Sequence, residues 1–352
     1  LGPAAWREIS GFAIEHGFVG LLARSLAWAG EETGVRAPVA EALAVARRDQ
    51  LVQQLSRKRA ARTVAEAFAA RGIPFVLFKG IVLAEEVYGD LSLRAFRDLD
   101  IMVPADRIDD AYEVALQLGY HLTHLDHVRE YVNAGAHAAG MAHPDGPSLD
   151  LHWSIAPDLS AGQVAALWRD ARPAPAGASL PGLRLSPAMT LVHLAKHFHT
   201  HQYCALKPLI DFHVGARALA PQIARHELRD AAAALEMTPV VDVALALCER
   251  AFGVDARPRL LGDEPPRATA RLACRVLTDR FLVRGVHLSR IGNWSRYLVT
   301  SGSARATARS LAEILVPDRL ALSRFFNRPF RMRMYPHYYW RQLLKVLSLS
   351  AR

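Results

Sequence analysis

The feature that most limits how this chain can fold is a change of hydrophobic period that begins at Ile73. Before it, "AWREISGFAIEHGFVGLLARSLAWAG" and "APVAEALAVARRDQLVQQLSRKRAARTVAEAFAARG" carry apolar residues at i, i+3, i+4, i+7, with charge on the other face. That spacing predicts amphipathic helices over residues 1–70, ended at Gly72. "IPFVLFKG" is then a short β-rich apolar run closed by Gly80 and predicts a buried strand. "IVLAEEVYG" predicts a helix of about two turns, stopped by Gly89. "LSLRAFRDLDIMVP" predicts a strand ending at Pro104, and "ADRIDDAYEVALQLGY" an amphipathic helix with aspartate in its first turn and Gly119 at its end. "HLTHL" reads as a further strand. "HAAGMAHPDG" and "PSLDLHWSIA" read as a hairpin around Asp145-Gly146. Residues 172–187, "RPAPAGASLPGLRLSP", read as a linker, and helical periodicity returns from Ala188. The predicted class is α+β: a small mixed-sheet core over 71–160, between an N-terminal helical region (1–70) and a C-terminal helical region (161–352) with a basic aromatic tail.

Composition narrows the function classes. The hydrophobic fraction is 51% and no apolar run approaches the ~18 residues of a membrane span, so none is expected. The opening "LGPAAWREIS" lacks the basic-then-apolar layout of a secretory leader. Cys204, Cys248 and Cys274 are widely spaced with no CxxC, which argues against a disulfide scaffold or zinc ribbon and predicts a reducing, cytoplasmic home. The net charge of +9 favours anionic partners, or marks a surface of solvated arginines. No Walker loop, GxGxxG or GxSxG occurs, so P-loop, dinucleotide and hydrolase readings have no support.

Asp98 and Asp100 flank Leu99 inside an apolar run. In a strand, residues i and i+2 share a face, so the two carboxylates project together while Leu99 and Ile101 face a core. Side by side they repel, and a divalent cation such as Mg²⁺ removes that repulsion. The alternative is that Arg94 or Arg97 pairs with them. Upstream, Lys79-Gly80 closes a strand before a helix: glycine lets backbone approach a phosphate, the helix N-terminus favours anions, and the lysine supplies a charge. Downstream, "SLDLHW" places Asp150 on another strand, where a third carboxylate would complete a metal site for in-line phosphoryl transfer. His152 shares the face of Asp150 and could carry a proton. Asp90 reads as turn chemistry.

The order Lys79-Gly80, Tyr88, Arg94, Arg97-Asp98-Leu99-Asp100-Ile101, Gly119-Tyr120 and Asp150-Leu151-His152-Trp153 resembles the bacterial uncharacterised nucleotidyltransferase family, within the DNA polymerase β-like superfamily. The motifs that carry the likeness cover roughly residues 70–155. The resemblance implies a nucleotidyltransferase core, with Mg²⁺ (or Mn²⁺) held by Asp98 and Asp100, Asp150 as third carboxylate, and Lys79 and Gly80 in the phosphate-binding turn. It implies transfer of a nucleotidyl or related phosphoryl-containing group to an acceptor hydroxyl, on a small molecule or a modified peptide of a natural-product pathway. One departure from the wider superfamily stands out: Lys-Gly occupies the place of the usual Gly-Ser. The donor therefore stays open between a nucleoside triphosphate and a sugar nucleotide, the latter as in a DxD glycosyltransferase. Arg94 and Arg97 are expected to clamp developing negative charge or to order the aspartates.

Two further stretches bear on partners. "LVHLAKHFHTHQ" places His193, His197 and His201 at i, i+4, i+8 on one helical face; it could bind zinc, face the nucleotide pocket through His197, or pack. Lys207 and Asp211 read as a helical i, i+4 pair. The C-terminal "DRLALSRFFNRPFRMRMYPHYYWRQLLKVLSLSAR" interleaves arginines with Tyr335, Tyr338, Tyr339 and Trp340. It fits nucleic-acid binding, a membrane surface or plain packing, and a non-catalytic nucleotide- or RNA-binding module is the non-enzymatic alternative.

Overall fold

The computed structural model describes residues 2–29, 37–157, 159–201, 203, 205–253, 256–262, 264–277, 322 and 331–349. By its packing the chain divides into two compact units. The first comprises Leu1–His121, Met141–His152 and Arg172–Arg184; the second comprises Leu122–Gly140, Trp153–Ala171 and Leu185–Arg352.

Three helices open the first unit: α1 (Pro3–Glu15), α2 (Val19–Ala29) and α3 (Ala37–Ala70). The period change at Ile73 then produces β1 (Val76–Leu77). After it come α4 (Gly80–Val82), continued as a π-turn through Leu83–Val87, then β2 (Asp98–Met102) and α5 (Ile108–Gln117). Along the chain there follow β3 (His121–Leu122), α6 (Val128–Asn133), β4 (Ala138–Ala142), β5 (Ser148–His152), α7 (Ala161–Asp170), β6 (Arg172–Pro173) and β7 (Leu183–Arg184). The seven strands form one sheet in the order β3-β4-β5-β2-β1-β7-β6. β1 runs antiparallel to β2, whereas β2 and β5 run parallel, so the sheet is mixed and the class α+β, as the sequence predicts.

Helical periodicity returns in the second unit as α8 (Pro187–Thr200), α9 (Leu206–Leu219), α10 (Arg225–Ala234), α11 (Thr238–Phe252), α12 (Arg257–Leu260) and α13 (Ala268–Val276). α14 (Met334–Leu349) lies in the tail. Its Tyr338 packs with Leu322 and Met334, while Tyr339 and Trp340 are exposed. Most of residues 278–330, and with them much of the predicted basic tail, fall outside the described residues, as does Cys204. Cys248 and Cys274 are free thiols. Among the described residues no helix is long and apolar enough to cross a membrane.

Two elements differ from their sequence-based expectation. The strand expected over 91–104 is strand only from Asp98; residues 91–97 are a turn and loop, largely buried up to Phe96. The cause is α3, whose polar side chains take the loop's hydrogen bonds in place of a neighbouring strand. Arg47 donates to Asp90 Oδ2 at 3.1 Å and to Ser92 Oγ at 2.9 Å, Gln50 donates to the Ser92 carbonyl at 2.7 Å, and Gln54 Oε1 accepts from the Phe96 N–H at 3.0 Å. Asp90 also accepts the Ser92 N–H at 2.7 Å, the turn chemistry expected of it. The second difference is the segment 172–187, which is no free linker. It turns back on itself as β6 and β7, and β7 joins β1 in parallel through Val76 and Leu183. A strand of two residues has too little pattern to announce itself.

The same loop receives α2. Gly20 lies so close that a Cβ there would overlap the Ser92 carbonyl, backbone that has no rotamer to yield. Gly20→Ala is expected to destabilise the protein by about 2–3 kcal/mol. Gly11→Ala, at an exposed site inside α1 with nothing within 4 Å of the new methyl, is expected to stabilise it by about 0.5–1 kcal/mol. Paired urea denaturation curves check both.

Candidate active site

Local physics builds the site from three chain segments of the first unit. β2 and β5 pair in parallel register with Asp100 opposite Asp150 and Met102 opposite His152. Because side chains alternate, Leu99, Ile101, Leu149 and Leu151 are buried on the opposite face at no more than 1% exposure, and they fix the register that brings the acids together. The third segment is the turn between β1 and α4. Lys79 has φ 53° and ψ −136°, a left-handed conformation that costs a non-glycine residue about 1–3 kcal/mol. That conformation turns the chain from strand to helix, and the Lys79 carbonyl accepts the first helical bond from the Leu83 N–H at 2.8 Å. Gly80 is buried, and a Cβ there would come within 3.3 Å of the Asp98 carbonyl, so the turn sits directly on the entry to β2. Arg94, itself buried, donates to the Gly80 carbonyl at 3.0 Å and ties the 91–97 loop to the turn.

The side chains converge on Asp100. Lys79 Nζ donates to Asp100 Oδ1 at 3.1 Å, and His152 Nε2 lies 3.2 Å from the same oxygen. Both contacts fall on Oδ1. Among the described residues Oδ2 carries no hydrogen bond. Phe78 packs edge-on against His152 with ring centroids 5.0 Å apart. Burial alone would push the Asp100 carboxyl up, but the Lys79 ammonium and the His152 contact outweigh it and hold the group well below the usual carboxylate range. Asp150 goes the other way. Burial raises it, as do the charges of Asp100 and Asp98, and the opposing pull of His152 and Lys79 does not compensate.

Asp100, Asp150 and His152 each present one ligand atom, and these atoms lie within 4.8 Å of one another. Two carboxylates in register, one of them short of compensating charge, suit a divalent cation, with His152 as a nitrogen donor at the edge of the oxygen set. Asp98, expected beside Asp100, shares its strand face but pairs in register with Ser148 and is not part of that trio. Arg97 is exposed beside it. His197 lies in the second unit on α8, in a row with His193 and His201 at centroid distances of 6.3 and 4.6 Å. Sequence reasoning missed one residue of this neighbourhood: Arg57 of α3, whose charge is felt together with those of Arg97 and Asp98.

The match that names the class comes from the family comparison. The sequence profile of the uncharacterised nucleotidyltransferase family covers residues 2–253, and the chain belongs to that family, whose chemistry is the transfer of nucleotidyl groups. Among solved structures, the antibiotic-resistance factor ANT(2'')-Ia is similar at 15% identity and a TM-score of 0.34, over 49% of this chain and 87% of that one. No curated protein matches the sequence.

The opposite shifts of the two aspartates give separate tests. Ionised Asp150 costs stability above its raised folded value, and that cost disappears as pH falls through it. Asp150→Asn is therefore expected to melt above the wild type at pH 8 by about 2–4 °C, with the gap closing as pH is lowered toward 4. At Lys79, Gly and Ala both remove the ammonium, but only Gly relaxes the left-handed backbone. Lys79→Gly is expected to be more stable than Lys79→Ala by about 1 kcal/mol, read from chemical denaturation.

Proposed function

We propose that the Asp100–Asp150–His152 group, with the Lys79-Gly80 turn beside it, is the catalytic centre for transfer of a nucleotidyl group from a nucleoside triphosphate to an acceptor hydroxyl. The observation that carries this reading is the register of Asp100 against Asp150, which sets two carboxylates and His152 within 4.8 Å. A divalent cation, Mg²⁺ or Mn²⁺, would be held by Asp100 and Asp150 with Asp98 and His152 at the margin, and it would neutralise charge on the donor phosphates.

The chain's own residues then have distinct tasks. Lys79 has two anionic partners, the Asp100 carboxylate and a phosphate oxygen of the bound donor. The left-handed turn aims its ammonium, and Gly80 lets the backbone come close to the phosphates. Arg94 keeps that turn in place through the Gly80 carbonyl, and Arg97 offers exposed positive charge at its rim. Asp150 accepts the acceptor's proton, a task that its raised affinity for protons favours. The acceptor oxygen forms a bond to the α-phosphorus, the bond from that phosphorus to the bridging oxygen breaks, and pyrophosphate leaves. His152 holds Asp100 oriented and ionised throughout.

The test is pyrophosphate release from each nucleoside triphosphate with Mg²⁺ or Mn²⁺, against a panel of hydroxyl-bearing small molecules and peptides. Mass spectrometry reads the nucleotidyl increment on the acceptor. Asp100→Asn and Asp150→Asn are each expected to lower turnover by on the order of 10²–10³-fold or more, with circular dichroism unchanged. Full turnover by Asp100→Asn would overturn the assignment.

A further inference from the structure

The face of α3 that turns inward repeats every three or four residues: Leu43, Arg47, Gln50, Gln54, Arg57, Ala61, Val64, Phe68. From Ala61 onward it is ordinary core, with Ala61, Val64 and Phe68 at no more than 1% exposure. Toward the N-terminus it is polar, and each polar residue has a task on the loop that leads into β2. Arg47 holds Asp90 and Ser92, Gln50 holds the Ser92 carbonyl, and Gln54 holds the Phe96 N–H. Moving one helical turn along α3 moves the contact farther down the loop, toward Asp98. The next position on the stripe is Arg57.

Arg57 breaks the pattern. It is half-buried between fully buried Gln54 and Ala61, yet among the described residues no hydrogen bond or ion pair engages it. Burial and the like charge of Arg97 both work against its guanidinium, and Asp98 alone favours it. A long cation kept on an inward stripe, beside a second arginine, gains most from an anion that both can share. Its neighbour Lys58 takes a different direction and pairs with Glu85 at 2.5 Å, so α3 is anchored on that side without Arg57.

We infer that Arg57 is a donor-binding residue: its guanidinium, with that of Arg97, takes the terminal phosphates of the nucleotide whose α-phosphate lies at Asp100 and Asp150. The inference rests on the proposed function and extends the site from the strand ends to α3. It assigns the N-terminal helices a part in recognition, with the triphosphate tail as the group they read. Arginine suits that task because its planar fork meets two phosphate oxygens at once, which lysine cannot do.

The experiment is calorimetric titration of the full chain with the tri-, di- and monophosphate of the base that binds the wild type best, in Mg²⁺. Arg57→Gln is expected to weaken triphosphate binding about 10- to 100-fold and to leave monophosphate binding nearly unchanged; Arg57→Lys should fall between. Equal losses for tri- and monophosphate would mark a structural role and overturn the inference, as would no loss at all. A wild type that binds none of the nucleotides would sink the proposed function itself, a different result from a wild type that binds and a variant that binds as well. Phenylglyoxal labelling of wild-type Arg57, read by mass spectrometry, needs no variant. Tripolyphosphate should protect the residue, and equal labelling with and without it counts against the assignment.

Discussion

A carboxylate with 4% of its side chain exposed cannot remain charged alone. Asp100 is such a group, and much of the first unit is arranged around keeping it ionised. Lys79 reaches it from the end of β1 and His152 from the end of β5, so one oxygen gathers an ammonium and an imidazole nitrogen from the two strands that flank β2. Removing either partner would leave the charge undercompensated, which is the costly way to break a buried pair. The arrangement also explains why Lys79 tolerates a backbone conformation that glycine would adopt more cheaply: no glycine could supply the ammonium.

The strain at Lys79 is braced from behind. Gly80 packs on the Asp98 carbonyl, Arg94 holds the Gly80 carbonyl, and the loop carrying Arg94 is held by Arg47, Gln50 and Gln54 of α3. The chain of contacts runs from a solvent-facing helix to the acidic centre without a break. It accounts for the placement of the N-terminal helices in the same compact unit as the strands.

Much of the site is legible in the amino-acid sequence alone. The Asp98-x-Asp100 spacing, the lone Asp150 between leucines and the Lys-Gly closure each carry chemistry on a short stretch of chain, where a period of two or a turn signal can be read directly. The presence of α1 to α3, α5, α8 and α9, and the turn between β4 and β5, also follow from local pattern. What is not legible depends on distant partners. Residues 91–97 have the composition of a strand, and only the side chains of α3 decide that they form a loop. The β6–β7 turn hides in a proline- and glycine-rich segment. Arg57 sits on a stripe whose apolar half dominates the pattern; the signal that could have exposed it is the run Gln50, Gln54, Arg57 at core spacing.

The strand order places β6 at one margin of the sheet, and this strand is two exposed residues long, one of them Pro173. Proline offers no N–H outward, so a neighbouring molecule finds little there with which to extend the ladder. Beyond the parallel β1–β7 pair the sheet therefore ends at a margin poor in outward donors, made where the chain turns back on itself.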